Sequence, residues 1–412
     1  MSDHIPGRGG GDIHDAVTAA ASDEADVLQA AFPGGDIQDA VSVATEMVSP
    51  APAAVPAVAG PGADVSDAQP TRRRRIALLT VAGVCVLSVA AVTAVAVVAA
   101  RKPADMPPGL VATFTNPGAS GTDAVAFSPD GKTLATGGSS TYLWDVASGR
   151  HIRTLTDPMG TVGEVDAVAF GPGGKTLAAT ASNGGTYLWD VTSGQRAGAL
   201  AKPGSDGLYA AAAVAFRPGA GTLAVGYGDG STYLWDATTR QRITTLANPA
   251  SAGVSAVAFS PDGKTLAVGD DVGSTDLRDG ATGRRIATLN DTPGAFGSAG
   301  GVAFSPDGKT LAVGDINGST YLWDVATGRK IATLTAPGAA GVAAVAFSPD
   351  GKTLAAGDSA GRVYLWDVAT GHRIVTFTDP STNGVYSVTF APDGHKLAVG
   401  DASGSTYLWD VS

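Results

Sequence analysis

From residue 110 to the C-terminus, apolar and polar positions alternate in short runs, each about the length of a strand and each ended by turn-forming residues. Residues 301–334, GVAFSPDGKTLAVGDINGSTYLWDVATGRKIATL, show the pattern. Four runs rich in Val, Leu, Ile, Tyr and Trp are cut by SPDG, by a short polar turn and by ATG. In Ser-Pro-Asp-Gly the proline presets φ, the aspartate bonds back to nearby backbone and the glycine tolerates positive φ, so the flanking runs fold back as a hairpin. The ATG turns, for example at 326–328 and 369–371, do the same between the third and fourth runs. The prediction is four short strands per unit.

The unit repeats. All six tryptophans stand in one motif, at Trp144, Trp189, Trp235, Trp323, Trp366 and Trp409, each preceded by Tyr-Leu and followed by Asp. One further copy is degenerate: TDLRD, 275–279, puts Asp276 where Tyr is expected and Arg278 where Trp is expected. The motif aspartates Asp145, Asp190, Asp236, Asp279, Asp324, Asp367 and Asp410 are spaced by 45, 46, 43, 45, 43 and 43 residues. Self-similarity at such a period marks a repeat architecture, and seven units of four strands predict an all-β fold.

On these residues the chain, from Ala112 onward, resembles the WD-repeat β-propeller family. The resemblance implies a seven-bladed propeller of four-stranded antiparallel blades, acting as a rigid scaffold that holds proteins or peptides on its faces and rims. The last motif, STYLWDVS at 405–412, has no fourth strand behind it, whereas VATFTNPG, 111–118, has no Trp-Asp before it and closely matches IVTFTDPS, 374–381. The early segment is therefore expected to pair with the last motif and close the ring, removing open sheet edges. The family's usual Gly-His pair, whose histidine bonds within a buried network to the Trp, is absent from every unit.

A buried indole N–H needs an acceptor. Asp315, Asp358 and Asp401 stand eight residues before Trp323, Trp366 and Trp409, and Asp270 stands eight before Arg278. One reading makes the first three indole acceptors and pairs Asp270 with the guanidinium. The other makes all four an acidic rim for a cation or basic peptide.

The N-terminal quarter has a different pattern. Residues 76–100, IALLTVAGVCVLSVAAVTAVAVVAA, carry no charge over 25 positions. As a helix rising about 1.5 Å per residue this run exceeds a hydrocarbon core of about 30 Å. Its length and its position after a long leader argue against a cleaved signal peptide. Residues 72–102 are thus expected to form a basic flank and one transmembrane helix, a single-pass membrane anchor in contact with lipid through 76–100. Arg72 to Arg75 precede it and only Arg101 and Lys102 follow, which places the N-terminus in the cytoplasm and the propeller outside.

Residues 1–71 hold eleven acidic residues and one basic, Arg8, and read as a mostly disordered cytoplasmic tail. Within it GDIHDAV, 11–17, returns as GDIQDAV, 35–41, with Asp12 and Asp36 able to cap short helices. Residues 11–47 could dock a cytoplasmic partner. Residues 103–109 form a short linker, and 110–412 the propeller.

Charge and composition exclude more than they assign. A net charge of −11 without a basic cluster in the repeats argues against nucleic acid. The single cysteine, Cys85, rules out an internal disulfide or a thiolate zinc site, and no cofactor or metal is expected. His4, His14, His151, His372 and His395 are dispersed, and no phosphate loop or nucleophile motif appears. An enzyme, specifically a hydrolase or lyase propeller, is therefore the least supported reading.

Bacterial relatives often carry a protein kinase ahead of such repeats; this chain has no kinase motifs and looks like a kinase-less version. Recognition should reside in the variable loops joining one blade to the next, on the face away from the membrane, with Met159, Glu164, Tyr209, Phe296 and Tyr386 as contact candidates. A non-catalytic interaction scaffold is the leading expectation. The alternative is a transmembrane sensor relaying ligand binding to the tail.

Overall fold

The structure, a computed structural model, describes residues 107–412 apart from 118–120, 123, 157–163, 203–208, 248–252, 291–297 and 382. The tail, the apolar run at 76–100, and Met159 and Phe296 lie outside the described residues. Among the described residues no helix is long and apolar enough to cross a membrane.

Among the described residues, 28 strands from β1 (Leu110–Thr115) to β28 (Ser405–Asp410) form seven four-stranded antiparallel sheets. Six sheets use four consecutive strands. The seventh has the order β1-β28-β27-β26, with β26 spanning Val385–Phe390 and β27 spanning Lys396–Asp401. The segment that lacked a motif of its own thus supplies the missing strand, with Phe114 opposite Thr406 and Thr113 opposite Tyr407. Blade 1 packs on blade 7, and the seven sheets close into a propeller.

The middle strands are covered on both faces by neighbouring blades, so they read as continuous apolar runs rather than alternating ones. The leucine of every second strand, such as Leu134, Leu223, Leu311 and Leu397, is fully buried. Small residues let the blades approach near the axis. A Cβ on Gly226 would stand 2.4 Å from Val254 Cγ1 of the next blade, and one on Gly357 would stand 2.4 Å from Val385 Cγ1. The hairpin turns follow their chemistry: Ser305 Oγ donates to Asp307 Oδ1 at 2.6 Å, and Gly308 takes φ 70°.

The outermost strands carry a feature that the expected alternation does not contain. Opposite the Trp position, each fourth strand has one extra residue, a β-bulge. In blade 5 Trp323 pairs with Lys330 and Leu322 with Ala332, leaving Ile331 unpaired. The same shift leaves Ile152, Ala197, Ile243, Ile286 and Ile374 in blades 1, 2, 3, 4 and 6, and Val111 in β1. The isoleucines are 49–57% exposed and Val111 is 48% exposed.

Candidate binding face

The up-and-down path of each blade puts two kinds of loop on opposite faces. The SPDG and ATG turns share one face. The turns between second and third strands, together with the loops between blades, share the other. Gly109 accepts a hydrogen bond from Asp410 N at 2.7 Å, so the chain enters the ring on the SPDG/ATG face. On the loop face stand the exposed Glu164 ahead of blade 2, Tyr209 ahead of blade 3, and Tyr386 on the innermost strand of blade 7. Tyr209 and Tyr386 are each 47% exposed, and Val272 and Ile316 add apolar surface at the second turns of blades 4 and 5. These side chains share a face but stand on separate blades.

Tyr209 packs against a buried cation. Lys202, 8% exposed, forms an ion pair with Asp229, and its Nζ lies 4.9 Å from the Tyr209 ring centroid and 5.2 Å from that of Tyr227. Cation–π contacts of this kind hold an aromatic ring at a defined place on the surface.

Asp270, Asp315, Asp358 and Asp401 are at most 3% exposed, and their carboxylates engage the turns that follow them. Asp315 Oδ1 accepts from Asn317 N at 2.6 Å; Asp270 Oδ1 accepts from Ser274 N at 2.7 Å; Asp401 Oδ1 accepts from Ser405 N at 2.9 Å. Asp358 accepts from Arg362 Nε at 2.9 Å and from Tyr364 Oη at 3.0 Å. None of these bonds comes from an indole. The eight-residue interval runs around a hairpin: Trp323 lies opposite Leu311, four residues before Asp315. At about 3.3 Å per residue that separates the two side chains by roughly 13 Å along the sheet.

The indole bonds differ by blade. Trp144 Nε1 donates to Thr136 Oγ1 at 3.0 Å, whereas Trp189, Trp235 and Trp323 have no acceptor among the described residues. Blade 4 corrects a second expectation. Arg278 Nη2 binds Asp276 Oδ2 at 2.7 Å, not Asp270. The two residues that replace Tyr and Trp pair with each other, both buried. Thr288 Oγ1 also donates to Asp276 Oδ1 at 2.7 Å, and Arg285 Nη1 lies 3.8 Å from Asp276 Oδ2.

The motif aspartates act on the other face, at the ATG turns. Asp324 Oδ1 accepts from Thr327 N at 2.8 Å and Oγ1 at 2.6 Å; Asp145, Asp190, Asp236, Asp279 and Asp367 accept from the backbone N–H three residues on in the same way, and Asp410 accepts from Ser412 N, two residues on. Hydrogen bonds from these serines and threonines hold all seven carboxyls below the usual range. They fasten turns.

A second pair of carboxyls went unseen in the sequence. Asp379, in the loop from blade 6 to blade 7, is 3% exposed; Ser381 Oγ donates to its Oδ1 at 2.9 Å and also bonds Asp401 Oδ2. Burial, with Asp401 close by, pushes the Asp379 carboxyl up to about 7. The signal was the DPST replacing the PG of the preceding loop, a charged residue at a position that holds Ala336 one blade earlier.

Among the described residues no group of three or more His, Cys, Asp or Glu could hold a metal ion. Two concave spaces among the described residues are grooves between blades on the SPDG/ATG side, one of about 670 Å³ between blades 6 and 7 lined by Ile374, Phe377, Phe390 and Val411, and one of about 400 Å³ between blades 2 and 3.

No curated protein matches the chain. The family model described as the IFT122 first beta-propeller matches residues 122–410, well over half of the sequence and nearly all of the ring. Seven four-stranded blades, a Trp-Asp repeat at the end of each third strand but one, and this match together establish that the chain belongs to the family of the IFT122 first beta-propeller, a WD-repeat propeller family.

Proposed function

We propose that the chain is a membrane-anchored, non-catalytic scaffold whose propeller, held outside the cell, binds protein or peptide partners through its loop face. The observation that carries this reading is the direction of the chain. It joins the ring on the SPDG/ATG face, so an anchor at residues 76–100 holds that face inward and turns Tyr209, Tyr386, Val272 and Ile316 outward. Exposed aromatic and aliphatic side chains on variable loops, over a scaffold of buried strands, suit recognition better than catalysis. Asp270, Asp315, Asp358 and Asp401 are buried and each accepts from the backbone of the turn that follows it, which supports a structural role for them over a cation-binding rim. The bacterial origin of the architecture and the single cytoplasmic N-terminus belong to the same proposal.

The test is photo-crosslinking in cells that express the full chain, with the photoreactive residue placed at Tyr209, at Tyr386, or at Lys264 on the opposite face. The reading predicts discrete protein adducts from the two tyrosine positions and none of the same mass from Lys264. Adducts from Lys264 alone would place recognition on the other face and overturn it.

A further inference from the structure

The two faces differ in charge as well as in sequence. Apart from the buried Asp276–Arg278 pair, 16 of the lysines and arginines from residue 110 onward lie in the SPDG and ATG turns and their counterparts or within three residues of them, against 12 aspartates. The aspartates there are bound to turn backbone, and Lys264, Lys309 and Lys352, with side chains 81% exposed, each also reach the turn aspartate two residues before them, at 3.4, 3.9 and 3.6 Å, so that it is the excess of cations that leaves this face basic. On the loop face the described residues include nine carboxyl groups and only Lys202 and Arg362 as cations. The ring is therefore electrically polar, basic on the face where the chain enters.

The bulges add an apolar element at the edge of that same face. Each is opposite the Trp position, one step from the ATG turn, and the residue just before it is basic in most blades: Arg242, Arg285, Lys330 and Arg373 precede Ile243, Ile286, Ile331 and Ile374. Lys330 lies 4.5 Å from the Tyr321 ring centroid and Arg373 5.9 Å from that of Tyr364, which holds the cations at a fixed height beside the isoleucines. A bulge alone suffices to protect a sheet edge from pairing with another chain. It does not require an exposed isoleucine; Ala197 serves in blade 2. Aliphatic side chains ringed by cations, around a basic face, are the composition of a surface that seats in a bilayer interface.

We infer that the SPDG/ATG face, with its ring of bulge isoleucines, rests directly on an anionic lipid surface. Two features select lipid over an acidic protein. The cations are spread around the whole face rather than gathered in one patch, matching an extended plane of charge. The chain also enters on this face, at Gly109, nine residues after the apolar run ends at Ala100. That second point rests on the reading of residues 76–100 as a membrane anchor.

All strands of the ring, including the closing one, lie within residues 110–410, so a protein comprising residues 107–412 folds without the anchor. Its sedimentation with vesicles of phosphatidylcholine alone, and of phosphatidylcholine mixed with phosphatidylglycerol, is the test. Binding is expected only to the mixed vesicles, weakening steeply as salt screens the charges. Replacing Ile286, Ile331 and Ile374 together by serine should weaken it about tenfold or more, since apolar area drives the insertion. Lys264→Glu with Lys309→Glu and Lys352→Glu should abolish it, and Tyr209→Ser on the other face should leave it unchanged. Unaltered thermal unfolding of each variant confirms that the ring is intact.

No binding to anionic vesicles at low salt overturns the inference, as does binding to soluble polyglutamate without binding to vesicles. Alkaline extraction of membranes holding the full chain separates this from the anchor reading. A chain that resists extraction while its ring ignores vesicles keeps the anchor and loses the inference. One that washes off while its ring binds vesicles does the reverse.

Discussion

Blades 4 and 5 are neighbours with the same register and turns, yet one builds its third strand on Asp276 and Arg278 where the other uses Tyr321 and Trp323. Blade 5 buries two aromatic rings and sets Lys330 over both, 4.5 Å from the Tyr321 centroid and 5.8 Å from that of Trp323. Blade 4 buries a carboxylate and a guanidinium, with Arg285 standing where Lys330 stands. In both, the Tyr position faces a cation from the fourth strand, through a π face in one blade and a carboxylate in the other. The comparison teaches that the Tyr position can meet such a cation with either a π face or a carboxylate, and that Trp is replaceable when its partner changes with it.

The largest effect should come from breaking the blade 4 pair on one side. Arg278→Met leaves Asp276, 2% exposed, without its guanidinium, and should cost about 3–5 kcal/mol in urea-induced unfolding. Adding Asp276→Tyr and changing residue 278 to Trp instead should make blade 4 like blade 5, at no cost relative to the natural chain or with a gain of about 1–4 kcal/mol. A double change as damaging as the single one would refute the equivalence of the two arrangements.

A carboxyl that lacks such a cation should behave in the opposite sense with pH. Asp379 faces Asp401, and its carboxyl is raised to about 7, so between its unfolded value near 4 and that pH the folded chain holds a proton that the unfolded chain has lost. Stability is therefore expected to fall as pH rises from 5 to 7, by about 2–3 kcal/mol, and Asp379→Asn should remove that slope. A melting temperature equally flat in both proteins would contradict it.

The smallest effect compares the glycines that let each blade approach the next. A Cβ at Gly314 would meet Val342 Cγ1 at 2.7 Å and Val342 O at 3.1 Å; one at Gly269 would meet Ala299 Cβ at 2.9 Å. Both alanine variants should lose about 1–3 kcal/mol, with Gly314→Ala the worse because backbone blocks it, whereas Gly173→Ala, with open space around it, should be near neutral.

The ring was legible in the sequence because its strands and turns obey local rules repeated seven times, and because the β1 segment carries the text of a fourth strand. What escaped depends on where chains fold back. The interval from Asp315 to Trp323 looked like proximity, but a hairpin places those residues at opposite ends of paired strands. The bulges did leave a trace. Ile331 and Leu334 are three apart, a spacing that strict alternation would put on opposite sides of a strand, and it recurs in Ile243 and Leu246 and in Ile286 and Leu289. The Asp276–Arg278 pair was within reach of the same reasoning, since residues two apart on a strand share a face.

The central claim is that an anchored ring is displayed outside the cell. Protease treatment of intact cells carrying the full chain, with one tag before Arg72 and another after Ser412, tests it most directly. The account predicts loss of the C-terminal tag and survival of the N-terminal one; loss of the N-terminal tag alone would put the ring in the cytoplasm and contradict it.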